Sequence, residues 1–342
     1  IDVKFKVSPQ SIESVLQSFQ VKGIKEVHFV IWTTTPWTIP SNVAVCIHEE
    51  IEYVLVRGGN ANFIIAKDLM DACSERWDLE LEILGSALGK DIKNISMKHP
   101  LYKRESKLLH GDHVTTESGT GCVHTAPAHG LDDYFICIKH GLESVKALDN
   151  RGLFREEYGP LSGLSTKKGD PIVIELLEKN EALLASKPYD HSYPHCWRHK
   201  SPVIFMSTPQ WFISMKKSGL IDGAINAVTN VNWEPGWGEE RILSMLEDRP
   251  DWCISRQRNW GVPITLIIHN ETGEVHPKQN LLFNQIADVI EEEGIEGWDN
   301  LELDTLIDDA ESYTKVHDTL DVWFDSGVTH MCVLDKLYGA DV

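Results

Sequence analysis

Apolar and polar residues alternate over short stretches of this chain, a pattern typical of half-buried β-strands. Residues 1–7 show this pattern and are predicted to be a strand, and we predict further strands at 26–32, 42–47, 52–56, 62–65, 79–84 and 112–116. Short apolar runs predict buried strands at 122–125 and 209–213. Helical periodicity predicts helices at 10–19, 67–77, 131–142, 171–184 and 238–246. Strands and helices do not alternate regularly, so we expect a strand-rich, mixed α/β fold with irregular connections and not a doubly wound sheet.

The segment 119–134, GTGCVHTAPAHGLDDY, brings several reactive side chains to one strand-to-helix corner. His124 ends a predicted strand, and His129 follows it after a proline. Asp132 and Asp133 fall in the first turn of the predicted helix, where negative charge is favourable. The corner is therefore the first candidate for a functional site, although a loop leading into an ordinary helix would also explain part of it.

A metal site is an alternative interpretation of the same corner. His124, His129 and Asp132 are of ligand types that metals use, and they would suit a metal-dependent hydrolase or deaminase. Pro127 lies between the two histidines, so they cannot share one helix face as they do in H-E-x-x-H.

The segment 32–42, WTTTPWTIPSN, combines three consecutive threonines with two prolines and two tryptophans. We expect an extended, rigid segment lined with hydroxyls, because prolines do not suit a helix interior. Hydroxyl and backbone groups in such a segment can bind a small polar substrate. The competing interpretation is a threonine-rich edge strand.

Length, cysteine content and net charge limit the number of domains, the compartment and the kinds of partner that we expect. The chain of 342 residues is long enough for two domains, and it contains no apolar run that could span a membrane. Its seven scattered cysteines favour a reducing compartment, so we expect a cytoplasmic protein. The net charge of −20 argues against a broad phosphate-binding face but permits contact with one end of a nucleic acid. A first residue that is not Met leads us to expect a fragment.

The character of the sequence changes near residue 193, where an aromatic segment begins, so we predict domains at 1–193 and 194–342. Cys196 and His199 have the C-x-x-H spacing of half a zinc site. The sequence has no second pair with similar spacing, so a turn without metal is expected in this chain.

Three groups of motifs, in this order, resemble the isoleucyl-tRNA synthetase family of class I: WTTTPWTIPSN, GTGCVHTAPAHGLDDY, and SRQRNWGVPI with DVWFDSG. HSYPHCWRHK and TPQWFISM resemble the bacterial form. The resemblance implies a barrel-like editing domain (connective peptide 1) at 1–193, followed by a junction segment leading toward the catalytic core. HIGH and KMSKS, the ATP-binding signatures, are absent, so synthetic activity is not expected from this chain.

The resemblance also implies an activity. The domain would hydrolyse valine misattached to tRNA(Ile), with valyl-adenylate as a second candidate substrate, by direct attack of water and without a cofactor. The full-length enzyme would ligate isoleucine to tRNA(Ile) with ATP and Mg²⁺. The expected partner is the 3′ end of tRNA(Ile), and the expected state is a monomer that does not bind membranes.

Carried over to this numbering, the resemblance gives a catalytic set. Thr33, Thr34 and Thr35 would hold the substrate ester and a water molecule. His124 would form the wall that excludes the longer side chain of isoleucine. Asp133 would bind the α-ammonium of the misattached valine.

The resemblance also gives a substrate-binding set that surrounds these residues. Trp37 and Thr38 would shape the pocket and the site of the terminal adenosine, and Asn42 would be a polar pocket residue. Gly121 and His129 complete the set.

Overall fold

The computed structural model describes residues 1–247 and 249–339. The chain divides into two compact units, Ile1–Thr208 and Pro209–Val342. This division lies later than the predicted boundary at 193, because residues just beyond 193 are bonded to the first unit: Ser207 N donates to Ala128 O at 2.7 Å, and His129 Nδ1 donates to Phe205 O at 3.0 Å. The last residues of the predicted second domain, 340–342, lie outside the described residues.

The first unit contains the strands and helices that surround the candidate corner. Its strands are β1 (Asp2–Lys6), β2 (His28–Trp32), β3 (Ala44–Ile47), β4 (Glu52–Gly58), β5 (Ala61–Ala66), β6 (Leu81–Leu88), β7 (Ser96–Lys98), β8 (Glu105–His110), β9 (Val123–Thr125) and β10 (Leu183–Ala185). Its helices are α1 (Ile12–Ser18), α2 (Met70–Trp77), α3 (Leu131–Lys139) and α4 (Thr166–Lys179).

These strands form two mixed sheets, with orders β10-β1-β2-β5-β4-β6 and β7-β8-β3-β9. The β2–β5 and β3–β8 pairs are parallel and the other pairs are antiparallel. The predicted strand-rich, mixed α/β class is confirmed. Neither sheet closes on itself within the described residues, so the barrel-like closure expected from the resemblance is not formed there.

The core of the first unit is built from strands that are buried on one face or on both. Val3 and Phe5 of β1, Phe29 and Ile31 of β2, and Phe63 of β5 are 0–1% exposed. Each fully buried side chain of this size stabilises the fold by about 1.5–3 kcal/mol. The sheets therefore provide a rigid base for the loops that follow β2 and precede α3.

Three local predictions in the first unit are wrong. The helix predicted at 171–184 is α4, which ends at Lys179, and Leu183 and Leu184 belong to strand β10. Residues 112–116 form a turn and an irregular loop, in which Val114 N donates to Gly111 O at 3.3 Å, and the strand lies earlier, in β8. Pro36–Ser41 forms a 3₁₀ turn where an extended segment was expected. Proline at its first position has a fixed φ suited to a helical start, and Thr38 N closes the turn on Thr35 O at 3.1 Å.

The second unit is built from short strands and longer helices. Its strands are β11 (Phe212–Ile213), β12 (Trp252–Cys253), β13 (Ser255–Arg256), β14 (Ile267–His269), β15 (Tyr313–Lys315) and β16 (Thr319–Leu320). Its helices are α5 (Leu220–Thr229), α6 (Trp237–Glu247), α7 (Gln279–Glu293), α8 (Glu296–Asn300), α9 (Val322–Gly327) and α10 (Asp335–Tyr338).

The second unit has its own core, which includes Leu282, Ile286 and Trp298. The predicted strand at 209–213 is confirmed in part as β11, but Phe212 is 58% exposed and the strand is not buried. Across the described ranges, no helix is long and apolar enough to cross a membrane.

Candidate active site

A cavity of about 270 Å³ lies in the first unit, where the end of β2, the turn at 36–41, β9 and the start of α3 meet. Its lining residues are Trp32, Thr33, Thr34, Thr35, Thr38, Val123, His124, Ala126, His129 and Asp133. All five predicted catalytic residues line this cavity. Of the predicted substrate-binding residues, Thr38 and His129 line it, whereas Trp37, Asn42 and Gly121 do not.

The threonine hydroxyls form a connected group on one side of the cavity. Thr33 Oγ1 accepts from Thr35 N at 3.1 Å and lies 3.2 Å from Thr35 Oγ1. Thr38 Oγ1 donates to Thr35 O at 2.8 Å. The hydroxyls are therefore held by the backbone of the same short segment, and Thr34 adds a third consecutive side chain to the wall.

The partners of His124 determine which of its ring nitrogens carries the proton. Asn42 Nδ2 donates to Ala44 O at 2.7 Å, which orients the amide, and it also donates to His124 Nδ1 at 2.8 Å. Since Nδ1 accepts, the proton of the neutral ring is on Nε2, which donates to Thr38 Oγ1 at 3.0 Å. Each ring nitrogen of His124 is thus occupied by a protein partner.

Burial and, to a smaller extent, nearby His129 lower the pKa of His124 to about 3. The ring is consequently neutral at physiological pH. A neutral ring whose Nδ1 lone pair is already used has no free site for taking a proton from water, so it presents a polar but unreactive surface to the cavity.

His129 is fixed in the opposite tautomer. Its Nδ1 donates to Phe205 O at 3.0 Å, so its Nε2 accepts from Ser41 Oγ at 2.9 Å. The ring packs edge-on against Trp37, with centroids 4.7 Å apart. Burial lowers the pKa of His129 as well, so this ring is also held neutral.

Asp133 supplies the carboxylate of the cavity from the first turn of α3. Its Oδ2 accepts from Ala126 N at 2.8 Å. Gly130 makes this approach possible, because an added Cβ there would lie 2.8 Å from Asp133 Oδ2. Burial raises the pKa of Asp133, and the bond from Ala126 opposes that shift. A cation entering the cavity would favour the ionised carboxylate.

The predicted residues outside the wall have supporting positions. Trp37 and Asn42 lie behind the wall, against His129 and His124. Gly121 packs on a strand: its φ is +75°, and an added Cβ would lie 2.3 Å from Ala66 Cβ. Its carbonyl accepts from Tyr53 Oη at 2.7 Å.

Sequence reasoning missed four residues that belong to the site. Trp32, Val123 and Ala126 complete the cavity wall. The motifs contain them, but none of the three carries a reactive group that would single it out as a site residue. Asp170 of α4 accepts from Trp37 N at 2.8 Å, and burial raises its pKa to about 6. Nothing in the local sequence connects Asp170 to a turn 133 residues earlier.

The donors proposed for a metal are not grouped together. In residues 1–247 and 249–339, no three His, Cys, Asp or Glu side chains are placed so that they could hold a metal ion. Asp132 is exposed and lies outside the cavity wall, and both histidines use their ring nitrogens for protein partners.

Cys196 Sγ lies 3.4 Å from His199 Nδ1. Backbone N–H groups of His199 and Arg198 lower the pKa of that thiol to about 7.

Comparison with known proteins identifies the family. Residues 4–339 match the family model described as tRNA synthetases class I (I, L, M and V). The chain belongs to this family.

Curated relatives of this synthetase chain include isoleucine–tRNA ligases. That of Teredinibacter turnerae is 46% identical over 338 residues, which are 98% of this chain and 36% of the relative. That of Idiomarina loihiensis is 47% identical over 325 residues, which are 93% of this chain and 34% of the relative. The chain therefore spans about a third of the length of these relatives.

Among solved structures, the editing domain of the cytosolic leucyl-tRNA synthetase of P. knowlesi has a TM-score of 0.42 and 12% sequence identity to this synthetase chain. The match covers 54% of this chain and 96% of that domain.

Proposed function

We propose that the first unit is an editing site that hydrolyses valine misattached to tRNA(Ile). The observation that carries the proposal is the composition of the 270 Å³ cavity, which combines consecutive threonine hydroxyls, a carboxylate and a neutral imidazole fixed by two partners. Membership in the class I tRNA synthetases and the similarity to isoleucine–tRNA ligases support an aminoacyl ester as the substrate.

The reaction we propose is direct attack of water on the ester carbonyl. Thr33, Thr34 and Thr35 would position the ester and the water and donate hydrogen bonds to the oxyanion as it develops. A covalent intermediate on serine is not supported. Ser41 bonds to His129, but it is 0% exposed and lies outside the cavity wall.

Substrate selection would divide between two residues. Asp133 would pair with the α-ammonium, which every aminoacyl ester carries, and so fix the orientation of the substrate. His124 would limit the length of the side chain, because its ring is held in place on both sides and cannot move away from an additional methylene.

The protein that carries this chain would be an isoleucine–tRNA ligase acting as a cytoplasmic monomer. Its ligation reaction would use ATP and Mg²⁺, and its partner would be the 3′ end of tRNA(Ile). The chain contains neither HIGH nor KMSKS, so we propose no role for its residues in the ligation reaction.

The test compares hydrolysis of Val-tRNA(Ile), Ile-tRNA(Ile) and valyl-adenylate by the protein, with and without EDTA. We expect rapid loss of valine from Val-tRNA(Ile), little loss of isoleucine, and no effect of EDTA. Equal rates for the two tRNA esters would contradict the assigned specificity. Activity that disappears with EDTA and returns with a metal would favour the metal-dependent hydrolase instead.

A further inference from the structure

The turn at 36–42 holds both cavity histidines. Thr38 Oγ1 accepts from His124 Nε2 at 3.0 Å, and Asn42 Nδ2 donates to His124 Nδ1 at 2.8 Å. Ser41 Oγ donates to His129 Nε2 at 2.9 Å. The tautomers and orientations of the two rings therefore depend on the backbone position of this one turn.

The turn is a short 3₁₀ segment that contains two prolines. Pro36 and Pro40 have no N–H to donate, and the turn is closed by Thr38 N to Thr35 O at 3.1 Å and Asn42 N to Ile39 O at 3.0 Å. Hydrogen bonds in a 3₁₀ segment have poorer geometry than those in an α-helix. Bonds from groups outside the turn therefore contribute to holding its position.

Three side chains from distant parts of the first unit bond to the backbone of this turn. At its start, Trp37 N donates to Asp170 Oδ1 at 2.8 Å. At its end, Arg104 Nε donates to Asn42 O at 3.2 Å, and Arg104 Nη2 donates to Pro40 O.

His99 is the third group. Its Nδ1 accepts from Leu101 N at 3.0 Å and Tyr102 N at 3.1 Å, so its proton is on Nε2, which donates to Ile39 O at 2.9 Å. The ring is 5% exposed, and burial holds the pKa of His99 well below its ordinary value.

We propose that Asp170, His99 and Arg104 are positioning residues that hold the 36–42 turn, and through it His124 and His129, in the arrangement that editing requires. The proposal rests on the proposed hydrolysis. It goes further because none of the three residues lines the cavity, and because it assigns the fixed position of the His124 wall to them.

The partly buried charges of Asp170 and Arg104 favour a role in positioning the turn over a role in stabilising the fold alone. Asp170 has no ion-pair partner within 4 Å among the described residues, and neither does Arg104. Asp170 accepts from a backbone N–H of the turn, and Arg104 donates to two of its carbonyls in addition to its bond with Tyr158 and its contact with the Tyr102 ring. Burying a charge without an opposite charge opposes folding, so these residues are poor choices if stability were their only contribution.

The test uses Asp170→Ala and Arg104→Gln in the full polypeptide that carries this chain, with Asp170→Asn as the conservative variant. Asn retains an oxygen that can accept from Trp37 N, whereas Ala does not. We expect the Ala and Gln variants to lower kcat for Val-tRNA(Ile) by about 10- to 100-fold with KM changed less than about 3-fold, because small displacements of catalytic geometry act on kcat. Asp170→Asn should stay near the wild-type kcat.

The matched control is Asp149→Ala. Asp149 Oδ1 also accepts backbone N–H groups, from Arg151 at 2.8 Å and Leu153 at 2.9 Å, but it neither lines the cavity nor bonds to the turn. This variant should lose stability without losing kcat per folded molecule. If Asp170→Ala keeps the wild-type kcat per folded molecule, or if Asp149→Ala loses as much, the positioning role is wrong.

A second measurement separates this proposal from the proposed function. In protein labelled with ¹⁵N-histidine, the ring signals of His124, assigned by their loss in His124→Gln, report which nitrogen carries the proton. We expect the wild type to show the Nε2–H tautomer and Asp170→Ala to show a mixture. If the wild type hydrolyses neither tRNA ester, the proposed editing function is wrong. The tautomer measurement still tests the positioning role in that case, because an unchanged His124 signal in Asp170→Ala would contradict it.

Discussion

Each nitrogen of the His124 ring has one protein partner, and this limits the chemistry that the residue can perform. A general base needs a free lone pair within reach of the attacking water, and the one on Nδ1 is used by Asn42. The low pKa of the ring also makes it a poor proton acceptor near neutral pH. A steric role in the cavity wall is compatible with both facts.

At this residue we expect His124→Ala to change specificity more than rate. Removing the ring makes room for one more methylene, so the variant should hydrolyse Ile-tRNA(Ile) while keeping activity on Val-tRNA(Ile). Deacylation rates for both esters with the one variant provide the measurement. If His124 is a general base after all, both rates will fall together by about 10²- to 10⁴-fold.

A second prediction concerns Asp133. Replacing it with alanine removes the proposed contact with the α-ammonium, and we expect transition-state binding to weaken by about 1.5–3 kcal/mol, which is roughly 10- to 150-fold in kcat/KM. The melting temperature should change little, because Asp133 is half-buried and shares one bond with Ala126. Asp132→Ala, which alters an exposed neighbour outside the cavity, is the control and should keep the wild-type rate.

At the scale of elements, the contact between α4 and the 36–41 turn predicts a dependence of stability on pH. Burial raises the pKa of Asp170 from 3.8 to about 6 in the folded protein, so the folded state binds more protons than the unfolded state between these values. The stability contributed by this group is therefore largest below pH 4 and falls as pH rises to about 6.

Asp170→Asn removes that titration. We expect the variant to be more stable than the wild type at pH 8 by on the order of 1 kcal/mol, less than the full shift implies because the carboxyl is partly solvated. The difference should shrink as pH falls from 6 to 4. Urea unfolding at several pH values measures it, and parallel curves for the two proteins would show that Asp170 does not titrate in this range.

Sequence reasoning identified the corner because its signals are local. The alternation in β1, the apolar run of β2, the glycine before α3 and the two aspartates in its first turn are all visible in short windows, and these elements are confirmed. The turn at 36–41 was expected to be extended because the sequence shows its prolines but not the bonds that fold it. Its bonding groups at His99, Arg104 and Asp170 come from more than 50 residues away.

Gly121 shows the same limit in another form. Its backbone freedom was expected at a pocket, and the structure uses it where Gly121 packs against Ala66 at the end of β5. The need for a glycine is visible in the sequence, but the neighbour that creates the need is not.

For the whole molecule, we expect residues 1–208 to fold without the second unit. Each unit has its own hydrophobic core, and Ile204 and Met206 pack on the core of the first. A chain ending at 193 loses these contacts and the bonds at Phe205 and Ser207, so it should be less stable than 1–208 by on the order of 2–3 kcal/mol.

Urea unfolding of both chains makes the comparison. Phe205→Ala in the longer chain is the control, because it keeps the backbone carbonyl and removes a side chain that is 60% exposed. Equal stability of 1–193 and 1–208 would place the boundary near 193 instead.

The bonds from Phe205 and Ser207 back to His129 and Ala128 have a consequence during protein synthesis. A ribosome adding about 5–20 residues per second needs about 9–35 s to proceed from Thr33 to Ser207. Until then His129 lacks the acceptor that fixes its tautomer. The candidate site is thus among the last parts of the first unit to mature on the ribosome, after the last strand of its sheets, β10, has been translated.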